Sequence, residues 1–428
     1  MKTLTLVSIP AVLVSADMAF AQSRFLLNDR TNDAVFAVVD ANGNGVIDEP
    51  GEVQLVFNLT NAAGTPGLDN PSCLAVRPDG LAVLGDQGSG RIYLFRDWNR
   101  DGDCLDVGES WVAADASNAS SVSFAFPTGA AFGPAGELYI VNAGNAFGND
   151  AVYRLIDLNQ DGDFQDAGEV EVFIGAAFFG PGNGGYSPQE IIFGSGLPLS
   201  GYFRNSSAGL HGVYRFFDAN NDGSCDDASE VSQFWVAGNA AGITPSAGFA
   251  IEPDLFRPGA VYLLQTATGS VDQLLRLQDL NNDQDAMDAG ESEVVWSTAE
   301  SGFTNIDVVS LTDGRVLITD NSGKRVIVLT DLDNDGLFNN TNERQTYFAN
   351  SSLLVGDIRQ AAAAPRPCRA NCDNSTGSPL LTANDFQCFL NAFAAGSFYA
   401  NCDSSSGTPL LTANDFQCFL NAFAAGCP

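Results

Sequence analysis

The chain has 428 residues, with 19 basic against 52 acidic side chains and a formal net charge of −33. This balance argues against nucleic acid as a partner, because phosphate binding requires a basic surface. Apolar residues make up 45% of the chain, so it can bury a core, and its length suits one large repeat domain plus a small one.

Residues 1–21 have the pattern of a secretory signal peptide. Lys2 supplies the positive charge, an apolar run extends from Leu4 to Ala16, and Ala19-Phe20-Ala21 has the small residues of a cleavage site. The apolar run is too short for a lasting transmembrane helix, and no later segment qualifies. The sequence predicts an exported protein, secreted or held at the cell surface without membrane insertion.

Short strand-like segments repeat from there to residue 364. In the clearest repeat, the β-branched and aromatic residues of segments 128–132, 137–141, 151–156 and 170–174 predict four strands. Four short strands per repeat are typical of a β-propeller blade. The first repeat has only three strands, and residues 354–361 form a lone strand near the other end. The prediction is a mostly β fold, a six-bladed β-propeller over residues 22–364 with one blade completed by both ends. An open β-solenoid is the alternative, but it leaves the divided blade unexplained.

An acidic cassette of thirteen residues separates the third and fourth strands of every repeat. Its six copies start 57, 60, 61, 61 and 52 residues apart. Each has Asp first, Asn or Asp third and fifth, and Glu thirteenth, with Gly sixth in all but one copy, where Gln284 stands. Oxygen ligands at the first, third and fifth positions before Gly are what Ca²⁺ requires of a tight loop. An EF-hand instead closes at its twelfth position and lies between helices.

The cassettes therefore predict six calcium-binding loops inside β-hairpins. Polar turns rich in Asp, Asn and Gly are the alternative, although a turn does not require Glu at a fixed thirteenth position. The predicted ligands are Asp40, Asn42, Asn44, Glu52, Asp97, Asn99, Asp101, Asp106, Glu109, Asp157, Asn159, Asp161, Asp166, Glu169, Asp218, Asn220, Asp222, Asp227, Glu230, Asp279, Asn281, Asp283, Asp288, Glu291, Asp331, Asp333, Asp335 and Glu343.

The turns AVRPDG, AFGPAG and SLTDG, each before a short hydrophobic strand, resemble those of six-bladed propellers of the NHL and gluconolactonase-like kind. Lactonases of that kind hold a central metal with Asp, Asn and Glu from several blades. The resemblance implies that Asp86, Asn142 and Asp320, at the ends of second strands, are candidate ligands of a metal-dependent hydrolase. The alternative is that they cap turns. His211, the only histidine, would have to serve in any His-based catalytic set. The alternative is a surface residue, which is typical of a Gly-flanked loop.

Residues 365–428 form a second unit, after a linker predicted at residues 361–367. Two near-identical copies begin at Ala370 and Ala400, each with a polar loop and the helical segment DFQCFLNAF. Thr382 and Thr412 are predicted N-caps, each with Asp three residues later as a variant of the capping box. The unit resembles the dockerin module, specifically the Cys-containing tails of exported planctomycete proteins. That resemblance implies a cohesin-like or other surface protein as partner.

The tail also holds six of the nine cysteines. In an oxidising compartment they can pair, and six cysteines allow fifteen connectivities. The symmetry of the dockerin-like tail suggests Cys372–Cys388, Cys402–Cys418 and Cys368–Cys427. Of the other three, Cys73, Cys104 and Cys225, the odd one is predicted to be a buried thiol. The repeated Phe residues of the tail helices form either a small core or a docking face.

The sequence favours a calcium-binding propeller that acts as a binding or structural module over a hydrolase, and leaves the propeller ligand open.

Overall fold

The computed structural model describes residues 24–40, 44–49, 51–143, 150–179, 186–194, 199–207, 209–227, 229–246, 248–265, 272–298, 305–311, 314–349, 356–364, 370–372, 381–394, 400, 402 and 411–425. The predicted signal peptide, Asn42, Cys368 and Cys427 lie outside these ranges. No described helix is long and apolar enough to cross a membrane.

The described strands form six four-stranded antiparallel sheets, the blades of a propeller. Blade 1 contains β1 (Arg24–Asp29), β2 (Ala34–Val39), β3 (Val53–Phe57) and, beside β1, β24 (Ile358–Ala364). Blade 2 contains β4 (Pro71–Val76), β5 (Ala82–Asp86), β6 (Arg91–Phe95) and β7 (Ser110–Ala114). Blade 3 contains β8 (Pro127–Phe132), β9 (Leu138–Asn142), β10 (Ala151–Leu155) and β11 (Val170–Ile174). A short helix, α1 (Ala176–Phe179), follows β11.

The remaining three blades repeat this order. Blade 4 contains β12 (Pro188–Phe193), β13 (Ser200–Asn205), β14 (Gly212–Phe217) and β15 (Val231–Val236). Blade 5 contains β16 (Gly248–Pro253), β17 (Val261–Gln265), β18 (Asp272–Leu277) and β19 (Ser292–Thr298). Blade 6 contains β20 (Asn305–Ser310), β21 (Val316–Asp320), β22 (Arg325–Leu329) and β23 (Arg344–Ala349).

The core lies between the blades. The second strands β5, β9, β17 and β21 are buried at every residue, because each blade packs a neighbour on both faces. This double burial explains why segments such as VYLL are apolar without alternation. The innermost strand of each blade contacts that of the next, and contacts between β24 and β4 close the ring. The predicted six-bladed fold is confirmed.

Closure of the ring depends on pairing between β1 and β24, as predicted from the divided blade. The register places Arg24 opposite Ala364 and Leu27 opposite Ala361. The predicted linker start at residue 361 was therefore wrong, since residues 361–364 belong to β24. A run of alanines has weak strand propensity, but the free edge of β1 supplies hydrogen-bonding partners that override it.

Two helices follow the propeller: α2 (Ala383–Ala394) and α3 (Ala413–Ala425). The Thr382 N–H donates to Asp385 Oδ2 at 2.7 Å, and the Thr412 N–H donates to Asp415 Oδ2 at 2.6 Å, which confirms the capping prediction. The rings of Phe389 and Phe419 stack with their centroids 4.1 Å apart. These Phe side chains form a small core between the helices, while Leu390 is 36% exposed.

The described disulfides are Cys372–Cys388 and Cys402–Cys418, the two symmetric bridges suggested for the tail. Each joins the loop before a helix to that helix. Cys73, Cys104 and Cys225 are all free and buried, so the propeller contains three such thiols rather than one. Burial raises the pKa of the Cys73 thiol to about 12, which makes this cysteine a poor nucleophile.

Candidate functional site

The six cassettes, residues 40–52, 97–109, 157–169, 218–230, 279–291 and 331–343, are here called the acidic loops. Each joins the third and fourth strands of a blade, so the antiparallel order places all six on one face of the ring. The strands on both sides of each loop are hydrogen-bonded to one another, which holds the loop ends together. The placement of the cassettes inside β-hairpins agrees with the sequence prediction.

The first-position Asp organises the turn of every acidic loop. Its Oδ2 accepts the sixth-position N–H at 2.8–3.0 Å in all six copies. The backbone at the sixth position is left-handed throughout, with φ between +83° and +106°. Glycine adopts that conformation at little cost, which explains its presence in five copies. Gln284 adopts it with φ +83° and is the exception.

The thirteenth-position Glu closes the loop from the other side. Its Oε2 accepts the tenth-position N–H in every copy, at 2.9–3.3 Å. In the five acidic loops after the first, Oε1 accepts the second-position N–H. All six glutamates are at most 3% exposed. The Glu thus joins both ends of the loop, a role that turn composition alone did not reveal.

The side chains at the third, fifth and tenth positions converge. In residues 157–169, Asn159 Nδ2 donates to Asp161 Oδ2 at 2.9 Å and to Asp166 Oδ2 at 2.6 Å. The acidic loops beginning at Asp97, Asp218 and Asp279 have the same arrangement. In the last loop the tenth-position amide of Asn340 donates to Asp333 at 2.9 Å. Several carboxylate and amide oxygens that could ligate a metal therefore lie close together in these loops.

Two acidic loops bring three carboxylates close enough to share a cation. The groups, whose oxygens lie within 4.8 Å of one another, are Asp279, Asp283 and Glu291, and Asp331, Asp333 and Asp335. Burial raises the pKa of Asp97 to about 6 and that of Glu109 to about 8 in the second loop. The buried Oδ1 atoms of Asp97 and Asp331 accept no hydrogen bond from any described residue. This chemistry fits a hard cation with oxygen ligands.

The eighth position of the acidic loops is a structural feature that the sequence reasoning missed. Its N–H donates to a carbonyl of the preceding blade at 2.7–2.8 Å, and the acceptor is the bulged residue of that blade's fourth strand. The eighth side chain is buried in every copy. The signal was an apolar residue inside an acidic segment: Ile47, Cys104, Phe164, Cys225, Ala286 and Phe338.

Side chains of the preceding blade also reach the middle of several acidic loops. Trp111 Nε1 donates to the Gly162 carbonyl at 2.7 Å, and Arg154 Nη1 donates to the Gly223 carbonyl at 2.6 Å. Arg215 Nη1 donates to Gln284 Oε1 at 2.8 Å. Each acidic loop is thus a junction between two blades as well as a turn within one.

The residues considered for a central metal instead hydrogen-bond to nearby backbone and side-chain groups. Asp86 Oδ2 accepts the Asp69 N–H at 2.9 Å, and Asn142 Oδ1 accepts the Phe126 N–H at 3.0 Å. Asp320 accepts the Gly323 N–H at 3.1 Å and the Arg325 Nε–H at 2.8 Å. Among the described residues, neither Asp86 nor Asp320 belongs to a group of acidic side chains that could share a cation. Their geometry agrees with the alternative of turn capping.

Carboxylates on the inner strands connect neighbouring blades around the channel. Glu190 Oε2 accepts the Ile251 N–H at 2.8 Å, Glu252 Oε1 accepts the Ser310 N–H at 3.2 Å, and Asp307 Oδ2 accepts the Ala361 N–H at 2.6 Å. Burial raises the pKa of Glu252 to about 8 and that of Asp307 to about 7, and it raises the pKa of Glu190 well above its usual value.

His211 lies between β13 and β14 and is partly exposed. Burial of the ring and the nearby guanidinium of Arg204 lower its pKa. Its Nδ1 has no hydrogen-bond partner in the part of the chain that the structure describes. Among the described residues, no carboxylate is hydrogen-bonded to this Nδ1 to orient the ring as a general base.

Comparison with solved structures supports the architecture. The nidogen/laminin complex contains a chain with 13% identity and a TM-score of 0.51, and the match covers 81% of this protein and 100% of that chain. A streptogramin B lyase has 13% identity, a TM-score of 0.44, and coverage of 77% and 81%. Virginiamycin B lyase from Staphylococcus aureus has 12% identity, a TM-score of 0.42, and coverage of 78% and 83%. The match to the nidogen/laminin chain supports the fold alone. No protein-family model and no curated protein matches the chain.

Proposed function

We propose that this protein is a secreted, calcium-binding β-propeller that serves as a binding or structural module and is anchored to a cell-surface or extracellular assembly by its dockerin-like tail. The proposal of calcium binding rests on the side-chain oxygens that lie close together in the acidic loops. Two first-position carboxylates there have a buried oxygen without a hydrogen-bond partner. Carboxylate and amide oxygens at such spacing are suitable Ca²⁺ ligands.

In this proposal calcium stabilises the contacts between blades. Without a cation, the clustered carboxylates of a loop repel one another and favour opening of its turn. A bound cation neutralises them and holds the eighth residue where its N–H reaches the preceding blade. Because each acidic loop has this contact, calcium would act on the six junctions of the ring.

The mature protein with 2 mM calcium or with chelator provides the first test. We expect about six bound ions by metal analysis after gel filtration, and a chelator-induced fall in the melting temperature. A protein ending at Ala364 should bind the same number, since the predicted ligands all precede that residue. Binding of one ion or none would contradict the calcium proposal.

A pair of single substitutions within one acidic loop sharpens this test. Asp161→Asn removes a fifth-position carboxylate and should abolish one ion per molecule. Asp163→Asn, two residues away, is the matched control, because Asp163 is outside the predicted ligand set and accepts the Gln165 N–H at 2.9 Å. Equal stoichiometry in the two variants would argue against the assigned ligands.

The anchoring part rests on the tail's doubled, disulfide-bonded helices and its resemblance to dockerins. N-terminal sequencing of the exported protein should find Gln22 as the first residue. The labelled protein should bind saturably to the source organism's cell envelope. Unlabelled full-length protein should compete, whereas the protein ending at Ala364 should not. Equal competition by the shortened protein would exclude the tail as the anchor.

A further inference from the structure

The channel opens on the face opposite the acidic loops through a cavity of about 170 Å³. The starts of inner strands and the turns after β1 and β5 form its lining, since these lie at the same end of each blade. Its lining includes Arg30, Arg359, Gln87, Gln360, Ser72 and Thr128. This lining is polar and carries two positive charges in a protein whose net charge is −33.

The two guanidinium groups are close enough to influence each other. Burial lowers the pKa of Arg30, and the neighbouring charge of Arg359 lowers it further. Asp357 pairs with Arg359 Nη2 at 2.7 Å and partly offsets this repulsion. One carboxylate against two guanidiniums leaves a positive excess at the cavity. This excess would attract an anion into the cavity.

Several donors at the cavity have no acceptor among the described residues. Arg359 Nε is buried and has no hydrogen-bond partner. Gln360 presents its Oε1 to the Leu74 N–H at 2.9 Å, and Gln87 presents its Oε1 to Arg30 Nη2 at 3.3 Å. Each glutamine thus turns its Oε1 toward the protein, and the Nε2 of each makes no hydrogen bond to another described residue. Ser72 and Thr128 donate their hydroxyl protons to backbone carbonyls, at 2.5 Å and 2.9 Å, and keep lone pairs for a ligand hydroxyl.

We propose that this channel mouth binds a small oxyanion, an organic carboxylate or phosphate, between Arg30 and Arg359. Guanidinium groups recognise both kinds of oxyanion through paired N–H donors. The amide donors of Gln87 and Gln360 add hydrogen bonds to the oxygens. The cavity is smaller than the roughly 300–1,000 Å³ of sites for drug-sized ligands, so the ligand is a small molecule.

The inference is independent of the calcium and anchoring proposals. The cavity lies on the other face of the ring, and none of its lining residues belongs to an acidic loop. Binding should therefore be measured on the mature protein at saturating calcium, where the state of the acidic loops is constant.

Ligand-observed NMR titrations at low ionic strength test the proposal with three probes: glycolate, methyl phosphate and the neutral amide glycolamide. We expect saturable binding of glycolate, methyl phosphate or both, and no binding of glycolamide. The probe that binds more tightly identifies the class of oxyanion. Failure of both anions to bind, or equal binding of glycolamide, would overturn the proposal.

Two variants and a matched control locate the binding. Arg359→Gln and Arg30→Gln should each weaken anion binding by about ten- to a hundredfold, because each removes a charged donor. Lys324→Gln removes one positive charge from the turn between β21 and β22 on the same face and should have no effect. Equal affinities in all three variants would overturn the assignment, and melting temperatures would verify that each variant is folded.

Discussion

At the scale of single residues, the sixth position of the acidic loops shows the cost of a left-handed backbone at a residue other than Gly. Gln284 has a left-handed backbone at φ +83°, whereas the other five copies have Gly. L-residues other than Gly adopt this region at a cost of roughly 1–2 kcal/mol. Since the hydrogen bond of Gln284 to Arg215 is exposed, its loss should cost less than the relief of strain.

Gln284→Gly should therefore raise the free energy of unfolding by about 1 kcal/mol. The reciprocal change, Gly162→Gln, should lower it by a similar amount. An added Cβ at Gly162 meets no atom within 4 Å, so the cost there is conformational and not steric. Urea denaturation at saturating calcium measures both, and effects of the same sign would contradict the argument.

A second residue-scale prediction concerns Glu252, whose carboxyl lies at the channel between blades 5 and 6. Its pKa is raised to about 8 from 4.5, so the folded protein holds the proton more tightly than the unfolded chain. The contribution of Glu252 to stability is therefore greatest below pH 4.5 and falls as the pH rises to about 8, by at most ~1.4 kcal/mol per pH unit. Because Glu252 keeps some surface toward the channel, we expect a fraction of that slope.

Glu252→Gln should flatten this dependence and stabilise the protein at pH 8. The substituted amide keeps an oxygen that accepts the Ser310 N–H but does not titrate. Melting temperatures from pH 5 to 8 at saturating calcium give the measurement, with Glu293→Gln as the control because that side chain is 50% exposed. Parallel profiles for wild type and Glu252→Gln would refute the assignment.

At the scale of elements, each acidic loop connects its own blade to the preceding one. The bulge in each fourth strand frees a carbonyl, and the eighth residue of the next loop supplies both the N–H and the buried side chain. Bulges re-aim backbone groups in this way, and their recurrence in all six blades gives them a structural role.

Phe164→Ala should reduce the free energy of unfolding by about 3 kcal/mol, because Phe164 is only 7% exposed and its truncation leaves a cavity between blades 2 and 3. Phe256→Ala is the control, since that side chain is 61% exposed and should change stability little. Chemical denaturation compares the two. If Phe164→Ala lowers the free energy of unfolding no more than Phe256→Ala does, the eighth position does not stabilise the contact between blades.

At the scale of the whole molecule, stability depends on closing the ring. Blade 1 takes β24 from the far end of the propeller, and β24 contacts both β20 and β4. Without β24 the inner edges of blades 2 and 6 lose their neighbour, and the β1 backbone loses its pairing partner. An open ring exposes apolar surface and an unpaired strand edge, which favours aggregation.

Ending the chain before Gly356 should therefore abolish a single cooperative unfolding transition and promote aggregation. Ending it after Ala364 removes the tail but keeps β24, and it should leave the transition of the propeller unchanged. Calorimetry and gel filtration distinguish the two proteins. Identical behaviour would mean that pairing between β1 and β24 does not hold the ring closed.

Local patterns in the sequence determined much of the molecule. Strand segments, the divided blade and the loop placement follow from side-chain periodicity and from repeats, which report short-range geometry. The capping of α2 and α3 follows from Thr382 and Asp385 for the same reason. The six calcium sites, including their ligands, remain a prediction from the spacing of the cassettes.

Only the tertiary structure decided which residues meet across the ring. The hydrogen bonds of the eighth loop positions, the carboxylates of Glu190, Glu252 and Asp307, and the pair of Arg30 with Arg359 join segments distant in sequence. It also extended β24 through Ala364, because the edge of β1 outweighs weak local propensity. Spacing within one repeat does not specify the partners in these contacts, since they depend on how sheets twist and close around a common axis.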